Sequence, residues 1–316
     1  MLQEENLWAY PIVDDLPVLI TPERLVPPGL DICTTPQAAR YQEASEEAHF
    51  YNAEAERDAD AMSEEKLPPD LAAALRATEA DRAGFPEPRD LWIDAVFDSA
   101  SEWDAYRHIA PLTGKRILQL GGKGTHASKF LLAGAAECWL LSPMIGELAF
   151  SVALARRCGV AERFHCAGGI AEEIPFEDGS FDAIYSGGCV HHMVTDRAFA
   201  ECARVLRSGG RFAAVEPWRA PLYSIGTRLL GKREVDVNCR PLTRERVGPL
   251  SSCFRHAEVI HHGALSRYAF LAFSKLGLQP GLPIVWNVTR LDDALCTPIP
   301  WVRRAGSSVS LLASKI

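Results

Sequence analysis

The sequence predicts an α/β fold: a doubly wound, mostly parallel sheet of seven strands, preceded by a hairpin and a helical cap. Three observations predict it. From Lys115 onward, short apolar runs alternate with helix-patterned segments, the order that builds a parallel sheet with helices on both faces. Residues 116–125, Arg-Ile-Leu-Gln-Leu-Gly-Gly-Lys-Gly-Thr, read as a buried strand, a glycine turn and a helix start. Residues 36–66, by contrast, are rich in Ala, Glu, Gln and Arg, a composition that favours helix. The expected organisation is a hairpin segment over 1–29, a helical cap over 30–111, and an α/β domain over 112–316 with a helical insertion at 264–295.

Each element follows from local signals. Residues 8–20 read as two short strands around the turn at Asp14-Asp15. Pro27, Pro28 and Gly29 end that unit. Helices are expected over 36–66, over 69–83 behind Pro68-Pro69, and from Arg89 to Ile109, the last with Leu91, Trp92, Val96 and Phe97 on its apolar face. Strand and helix then alternate: strand Ile117–Leu120, helix Thr125–Leu132, strand Glu137–Leu141, helix Ile145–Cys158 closed by Gly159, strand Arg163–Cys166 and strand Phe181–Ser186. Helix Asp196–Leu206, closed by Gly209-Gly210, leads to strand Arg211–Glu216. Residues 218–239 read as loops with a short helix. Helix Leu242–Cys253, strand His256–His261, the insertion and strand Val309–Leu312 close the chain.

Composition narrows the function classes. The chain has 316 residues and a net charge of −8, whereas gripping nucleic acid needs basic surface that releases counterions. No apolar run approaches the roughly 20 residues of a spanning helix. The acidic start Met-Leu-Gln-Glu-Glu-Asn lacks the features of a signal peptide. The nine cysteines show no Cys-x-x-Cys spacing. Cys138, Cys166, Cys189 and Cys202 sit in apolar contexts, as reduced core cysteines of a cytoplasmic protein would. The expected partner is therefore a small molecule rather than nucleic acid or membrane; oligomeric state stays open.

Five ordered segments carry a family resemblance. They are Gly114-Lys115-Arg116-Ile117-Leu118 running into Gly121-Gly122-Lys123-Gly124; Leu141-Ser142-Pro143-Met144; Glu172-Glu173-Ile174-Pro175-Phe176-Glu177-Asp178-Gly179-Ser180-Phe181-Asp182; Val190-His191-His192-Met193; and Ala203 to Arg211 followed by Glu216-Pro217. From 112 to 217, and more loosely to 316, the chain resembles the class I S-adenosylmethionine-dependent methyltransferases. The resemblance implies a last strand, Ser308–Lys315, that inserts antiparallel. Residues 8–26 are also similar to the second half of the small zinc-ribbon activator subunits associated with some methyltransferases, through Tyr10-Pro11-Ile12 and Leu16-Pro17-Val18-Leu19. That family's metal-binding cysteines are absent, and the same residues read as a plain docked hairpin.

The resemblance implies a cofactor site and shows where this chain departs from it. Cofactor contacts are expected from Gln119, Gly121, Gly122, Lys123, Gly124, Leu140, Ser142, Ile170, Ala171, Glu172 and Ser186. In the family a carboxylate stands near the end of the first strand, where this chain has Gln119. A second, for the ribose hydroxyls, falls at Leu140, and a third, for the adenine amino group, at Ile170. Lys123 replaces the second motif glycine and places a cation inside the turn, which favours an anion. Each missing charge-assisted hydrogen bond removes about 1.5–3 kcal/mol. Two readings follow. In one, the protein still uses S-adenosylmethionine through backbone, Ser142 and stacking contacts. In the other, the fold is reassigned to a different ligand, a different reaction or a non-catalytic role.

His191, His192 and Glu216 are the candidates for chemistry, because the resemblance puts them at the strand ends facing the acceptor. A histidine there can take a proton near neutral pH, or simply cap the helix. Glu216 can orient the acceptor or cap its strand. Trp218 and the 264–295 insertion are candidate walls, and Tyr10, Trp92 and Tyr106 candidate covers. His126 and His191 fall near the expected crevice, and His256, His261 and His262 cluster near the sixth strand, but none has a recognised metal spacing, so no metal is expected. The reading is methyl transfer from S-adenosylmethionine to an oxygen or nitrogen of a small molecule.

Overall fold

The structure, a computed structural model, describes residues 12–13, 16–17, 93, 95–220 and 241–316. The helices expected at 36–66 and 69–83, the Pro27-Pro28-Gly29 stop, the loops at 221–240, and Tyr10 and Trp92 lie outside the described residues.

Strands β1 (Ile12–Val13) and β2 (Leu16–Pro17) form the expected antiparallel hairpin, with Ile12 opposite Pro17. The main sheet holds β3 (Arg116–Leu120), β4 (Glu137–Ser142), β5 (Phe164–Gly168), β6 (Phe181–Gly187), β7 (Leu206–Pro217), β8 (His256–His262) and β9 (Ser308–Ser314). Their order is β5-β4-β3-β6-β7-β9-β8. All neighbours are parallel except β9, which runs antiparallel to both β7 and β8. The order therefore reverses between β3 and β6, and their carboxyl ends open the crevice where such sheets take ligands.

Eight helices accompany the sheet among the described residues: α1 (Ser99–Ile109), α2 (Thr125–Leu132), α3 (Ile145–Arg157), α4 (Thr195–Val205), α5 (Arg244–Cys253), α6 (Ser266–Lys275), α7 (Leu282–Cys296) and α8 (Pro300–Arg303). Side chains alternate across the pleat, which splits the core in two. Ile117, Leu140, Tyr185 and Val215 pack with Trp103, Tyr106 and Ile109 of α1, Phe130 of α2 and Leu148 of α3. Leu118, Leu141, Ile184 and Phe212 pack with Phe199 of α4 and Leu250 of α5. Full burial of a side chain such as Phe130 or Phe212 stabilises the fold by about 1.5–3 kcal/mol.

Three expected elements are corrected. The helix predicted from Arg89 begins only at Ser99, behind a 3-10 turn at Val96–Asp98. Glu102 Oε2 accepts the Ala95 N–H at 2.9 Å, and Ala95 O accepts the Asp98 N–H at 2.8 Å, so the chain folds tightly before the helix. Phe97 is consequently 40% exposed, and the buried face is Trp103, Tyr106 and Ile109. The predicted helix Asp196–Leu206 ends at Val205, and the strand predicted from Arg211 starts at Leu206. A register shift against β6 between Phe181 and Ala183 absorbs Arg207 to Gly210. Gly209 (φ +77°) donates its N–H to Lys315 O at 2.8 Å, so those glycines continue pairing rather than stopping a helix. The insertion also extends beyond 295, through α7 and α8, before β9 begins at Ser308.

Candidate active site

The turn after β3 sits at the point where strand order reverses. Gly121, Gly122 and Gly124 have φ of +71°, +78° and +67°, conformations that other L-residues adopt only with strain. Two of them also need their missing side chain. A Cβ on Gly121 would stand 2.6 Å from Cys189 Sγ, and one on Gly124 would stand 2.6 Å from Ser151 Cβ. The turn is thereby wedged between the β6 exit and α3, and it delivers the chain into α2 at the switch point.

Gln119 builds this turn from within. It shares the β3 face of Ile117 and is 1% exposed. Its Nε2 donates to Gly121 O at 2.8 Å, and its Oε1 accepts the Ala127 N–H at 2.8 Å. An amide can do both at once, whereas a carboxylate only accepts. Lys123 is half-buried in the turn. Leu140 is wholly buried, with Cδ2 3.4 Å from the position of a Gly124 Cβ. Across the switch point, Ser186 Oγ donates to Leu120 O at 3.2 Å.

The other expected cofactor residues lie along the neighbouring strand ends. Ser142 Oγ accepts the Met144 N–H at 3.2 Å, which shapes the turn into α3. Ile170 is half-buried beyond β5, and Ala171 is buried in the core under α4. Glu172 Oε1 accepts the Val194 N–H at 2.7 Å and sets an anion at the N-terminus of α4, where the helix dipole favours it.

Glu216 and His191 meet at the ends of β7 and β6. Glu216 is 2% exposed. Its Oε1 accepts the N–H groups of Cys189 at 3.1 Å and Val190 at 2.8 Å. Its Oε2 accepts the His191 N–H at 3.2 Å and lies 2.8 Å from His191 Nδ1. The carboxylate cannot donate, so Nδ1 carries the proton. His192 packs against His191 with ring centroids 3.9 Å apart and planes tilted by 42°. Arg246 of α5 donates to His191 O at 3.0 Å and to Met193 O at 2.9 Å. The His-His turn is therefore locked to β7 and α5, with its imidazoles held at the strand ends.

A second histidine assembly stands on the opposite face. Tyr106 OH donates to Glu102 Oε1 at 2.6 Å and lies 2.6 Å from His126 Nδ1. His126 packs on Tyr185, with centroids 4.6 Å apart. Its Nε2 lies 3.0 Å from the position of a Cβ on Gly187, at the carboxyl end of β6. The sequence signals His126 and Tyr106 separately; Glu102 it does not signal, because only the fold brings α1 beside α2. Trp218 packs edge-on against His261 at 4.7 Å.

Among the described residues, no group of three or more His, Cys, Asp or Glu side chains is placed to hold a metal. Their seven cysteines are free, and burial pushes the Cys166 thiol up to about 11. No described helix is long and apolar enough to cross a membrane.

With this geometry in view, comparison with known proteins is specific. The family described as Methyltransferase domain matches residues 120–214. The Probable phthiotriol/phenolphthiotriol dimycocerosates methyltransferase 2 of Mycobacterium ulcerans (strain Agy99) is 30% identical over 210 residues, covering 58% of this chain and 70% of that protein. The tRNA U34 carboxymethyltransferase of Methylococcus capsulatus is 31% identical over 140 residues, so the match spans less than half of either chain, at 43% of each. Among solved structures, the geranyl diphosphate C-methyltransferase of Streptomyces coelicolor A3(2) superposes with a TM-score of 0.51 at 14% identity, covering 79% of this chain and 99% of that one. That structure contains Mg2+, geranyl diphosphate and S-adenosyl-L-homocysteine.

Proposed function

Because the chain belongs to the class I S-adenosylmethionine-dependent methyltransferases, we propose that it transfers a methyl group from S-adenosylmethionine to an oxygen or nitrogen of a small molecule. The observation that carries this reading is the turn at Gly121–Gly124, seated at the switch point between β3 and β6. The net charge of −8 supports a small acceptor over nucleic acid.

The residues present fit the cofactor in one respect and depart in another. They fit as a cradle. Gly188, just beyond β6, has φ +71° and open space around its Cβ position, and Gly122 meets only Gln119 Nε2 at 3.5 Å. Backbone can thus approach a ligand closely on both sides of the switch point. The departure is in charge: Gln119, Leu140 and Ile170 stand where the family resemblance implies carboxylates. The backbone of 121–124, Ser142 and the apolar surfaces of Leu140 and Ile170 would hold the nucleoside. Bound S-adenosylmethionine supplies an electrophilic methyl group on a cationic sulfur. The protein's contribution is alignment of the acceptor with that methyl group, since a well-oriented pair reacts as an effectively unimolecular system. His191, held by Glu216, is the proposed orienting group from the β7 side. The reassigned reading gains nothing from the two sequence relatives, which carry methyl- and carboxymethyltransferase names.

The test is to incubate the protein with methyl-labelled cofactor and fractionated cell extract. Label is expected in small molecules, on oxygen or nitrogen. Label confined to RNA or protein overturns the proposal.

A further inference from the structure

Resting on that reading, we propose that Glu102, Tyr106 and His126 form a proton relay whose outer nitrogen, His126 Nε2, takes the proton from the methyl acceptor. Three observations place the relay at the crevice. His126 is the second residue of α2, directly after the glycine turn. Its Nε2 is the atom nearest the Cβ position of Gly187, 3.0 Å away, and Gly187 ends β6 beside the switch point. The ring is half-buried, whereas Tyr106 and Glu102 behind it are wholly buried. The assembly therefore runs from the interior to the carboxyl edge of the sheet.

Proton inventory sets the direction. The hydroxyl of Tyr106 has one hydrogen, which goes to Glu102 Oε1. With Glu102 as a carboxylate, which accepts and cannot donate, His126 Nδ1 at 2.6 Å from the hydroxyl oxygen is the donor. In the neutral ring the lone pair is then on Nε2. Glu102 is fixed in turn, because its Oε2 accepts the Ala95 N–H at 2.9 Å. Once His126 takes up a proton, the new cation lies 3.8 Å from Glu102 Oε1, a favourable pairing within a largely apolar surround. Glu102 and Tyr106 from α1, Tyr185 from β6 and Phe130 from α2 face the ring. Lys123 precedes it in the turn.

The step balances. The acceptor's bond to hydrogen breaks, and the proton goes to Nε2. The freed electron pair forms the bond to the methyl carbon. The pair of the carbon–sulfur bond that breaks stays on sulfur, leaving S-adenosylhomocysteine. The imidazolium then returns its proton to solvent. This step requires an acceptor with a removable proton, such as a hydroxyl or amine, and it places the base on the α1–α2 face, across the sheet from His191 and Glu216.

Histidine-ring NMR on the full chain without cofactor tests the relay itself, with the His126 signals assigned by their loss in His126→Asn. The expected neutral form is the Nδ1–H tautomer. Glu102→Gln is expected to lower the ring's proton affinity at least tenfold, and Tyr106→Phe to remove the tautomer preference. Having two variants keeps the test informative if one of them folds poorly. An Nε2–H tautomer, or a titration that neither variant moves, overturns the relay. The second arm is the pH dependence of kcat/KM. Its acidic limb is expected to shift downward with Glu102→Gln and to vanish in His126→Asn, with kcat reduced about 10²–10⁴-fold. A profile unmoved by these variants overturns the relay's role and leaves the methyltransferase reading intact. Failure to bind S-adenosylmethionine overturns both.

Discussion

Gln119 Oε1 accepts the backbone N–H of Ala127 at 2.8 Å, while the same amide donates to Gly121 O at 2.8 Å. One side chain thus spans the turn from β3 to α2. Gln119→Glu retains the first bond but sets a carboxylate oxygen against the Gly121 carbonyl. The expected loss is about 1–3 kcal/mol, the cost of a buried bond broken without replacement. Urea unfolding of the two proteins measures it. Equal stability would show that the amide's donor contributes nothing.

The resemblance implies a ribose carboxylate at Leu140, yet this leucine is wholly buried in one core with Phe130 and Leu148. Leu140→Asp is therefore expected to destabilise the fold by several kcal/mol, on the order of a buried unpaired polar group. Saturating S-adenosylmethionine is expected to raise the variant's melting temperature, because a ligand that binds only the native state stabilises it. A thermal melt with and without ligand checks both statements.

Glycine positions separate packing from backbone strain. Gly124 and Gly188 both have positive φ, but only Gly124 would drive a Cβ into Ser151, whereas Gly188 has open space. Gly188→Ala is expected to cost about 1–2 kcal/mol, the left-handed penalty alone. Gly124→Ala is expected to cost more and to weaken cofactor binding, since α2 and the turn must shift. Denaturation and ligand titration of both variants measure the contrast.

His262 ties β8 to α7 and α1. Its Nδ1 lies 2.7 Å from Asp293 Oδ2, and its Nε2 lies 3.1 Å from Asp104 Oδ2. Burial opposes its charge, but the carboxylates of Asp104 and Asp293 prevail and raise its pKa to about 9. A folded pKa above the ordinary value of 6.5 gives stability that is complete below that value and lost as pH rises through about 9. The displacement corresponds to roughly 3 kcal/mol. The adjacent His261 has the opposite sign. Burial, with His262, Arg303 and Arg304 nearby, lowers it to about 4 despite a hydrogen bond that the ring donates to the Gly306 backbone. Its contribution is lost as pH falls from 6.5 towards 4. Stability from this pair is therefore expected to be greatest near pH 6.5, and His262→Gln is expected to flatten the alkaline limb. Urea unfolding across pH 4–10 checks it.

The fold was legible wherever local pattern and tertiary packing agree. Thr125–Leu132 has the bounds that its apolar spacing and following Gly134 suggest. The sequence failed where distant partners override local signals. Arg89–Ile109 reads as one helix, but Glu102 draws the Ala95 N–H into a turn. Gly209-Gly210 reads as a helix stop, but Lys315 at the far end of the chain pairs with both. The candidate site divides in the same way. The glycine turn, a local signal, was readable. The His126 assembly was not, because Tyr106 and His126 are 20 residues apart and meet only through the packing of α1 on the sheet.

Calorimetric titration of the purified chain with S-adenosylmethionine and S-adenosylhomocysteine tests the central claim most directly. The account predicts saturable binding of both ligands at one site per chain, lost in Gly121→Ala, whose Cβ would collide with Cys189. No binding of either ligand up to about 1 mM, weaker than roughly −4 kcal/mol, would contradict it.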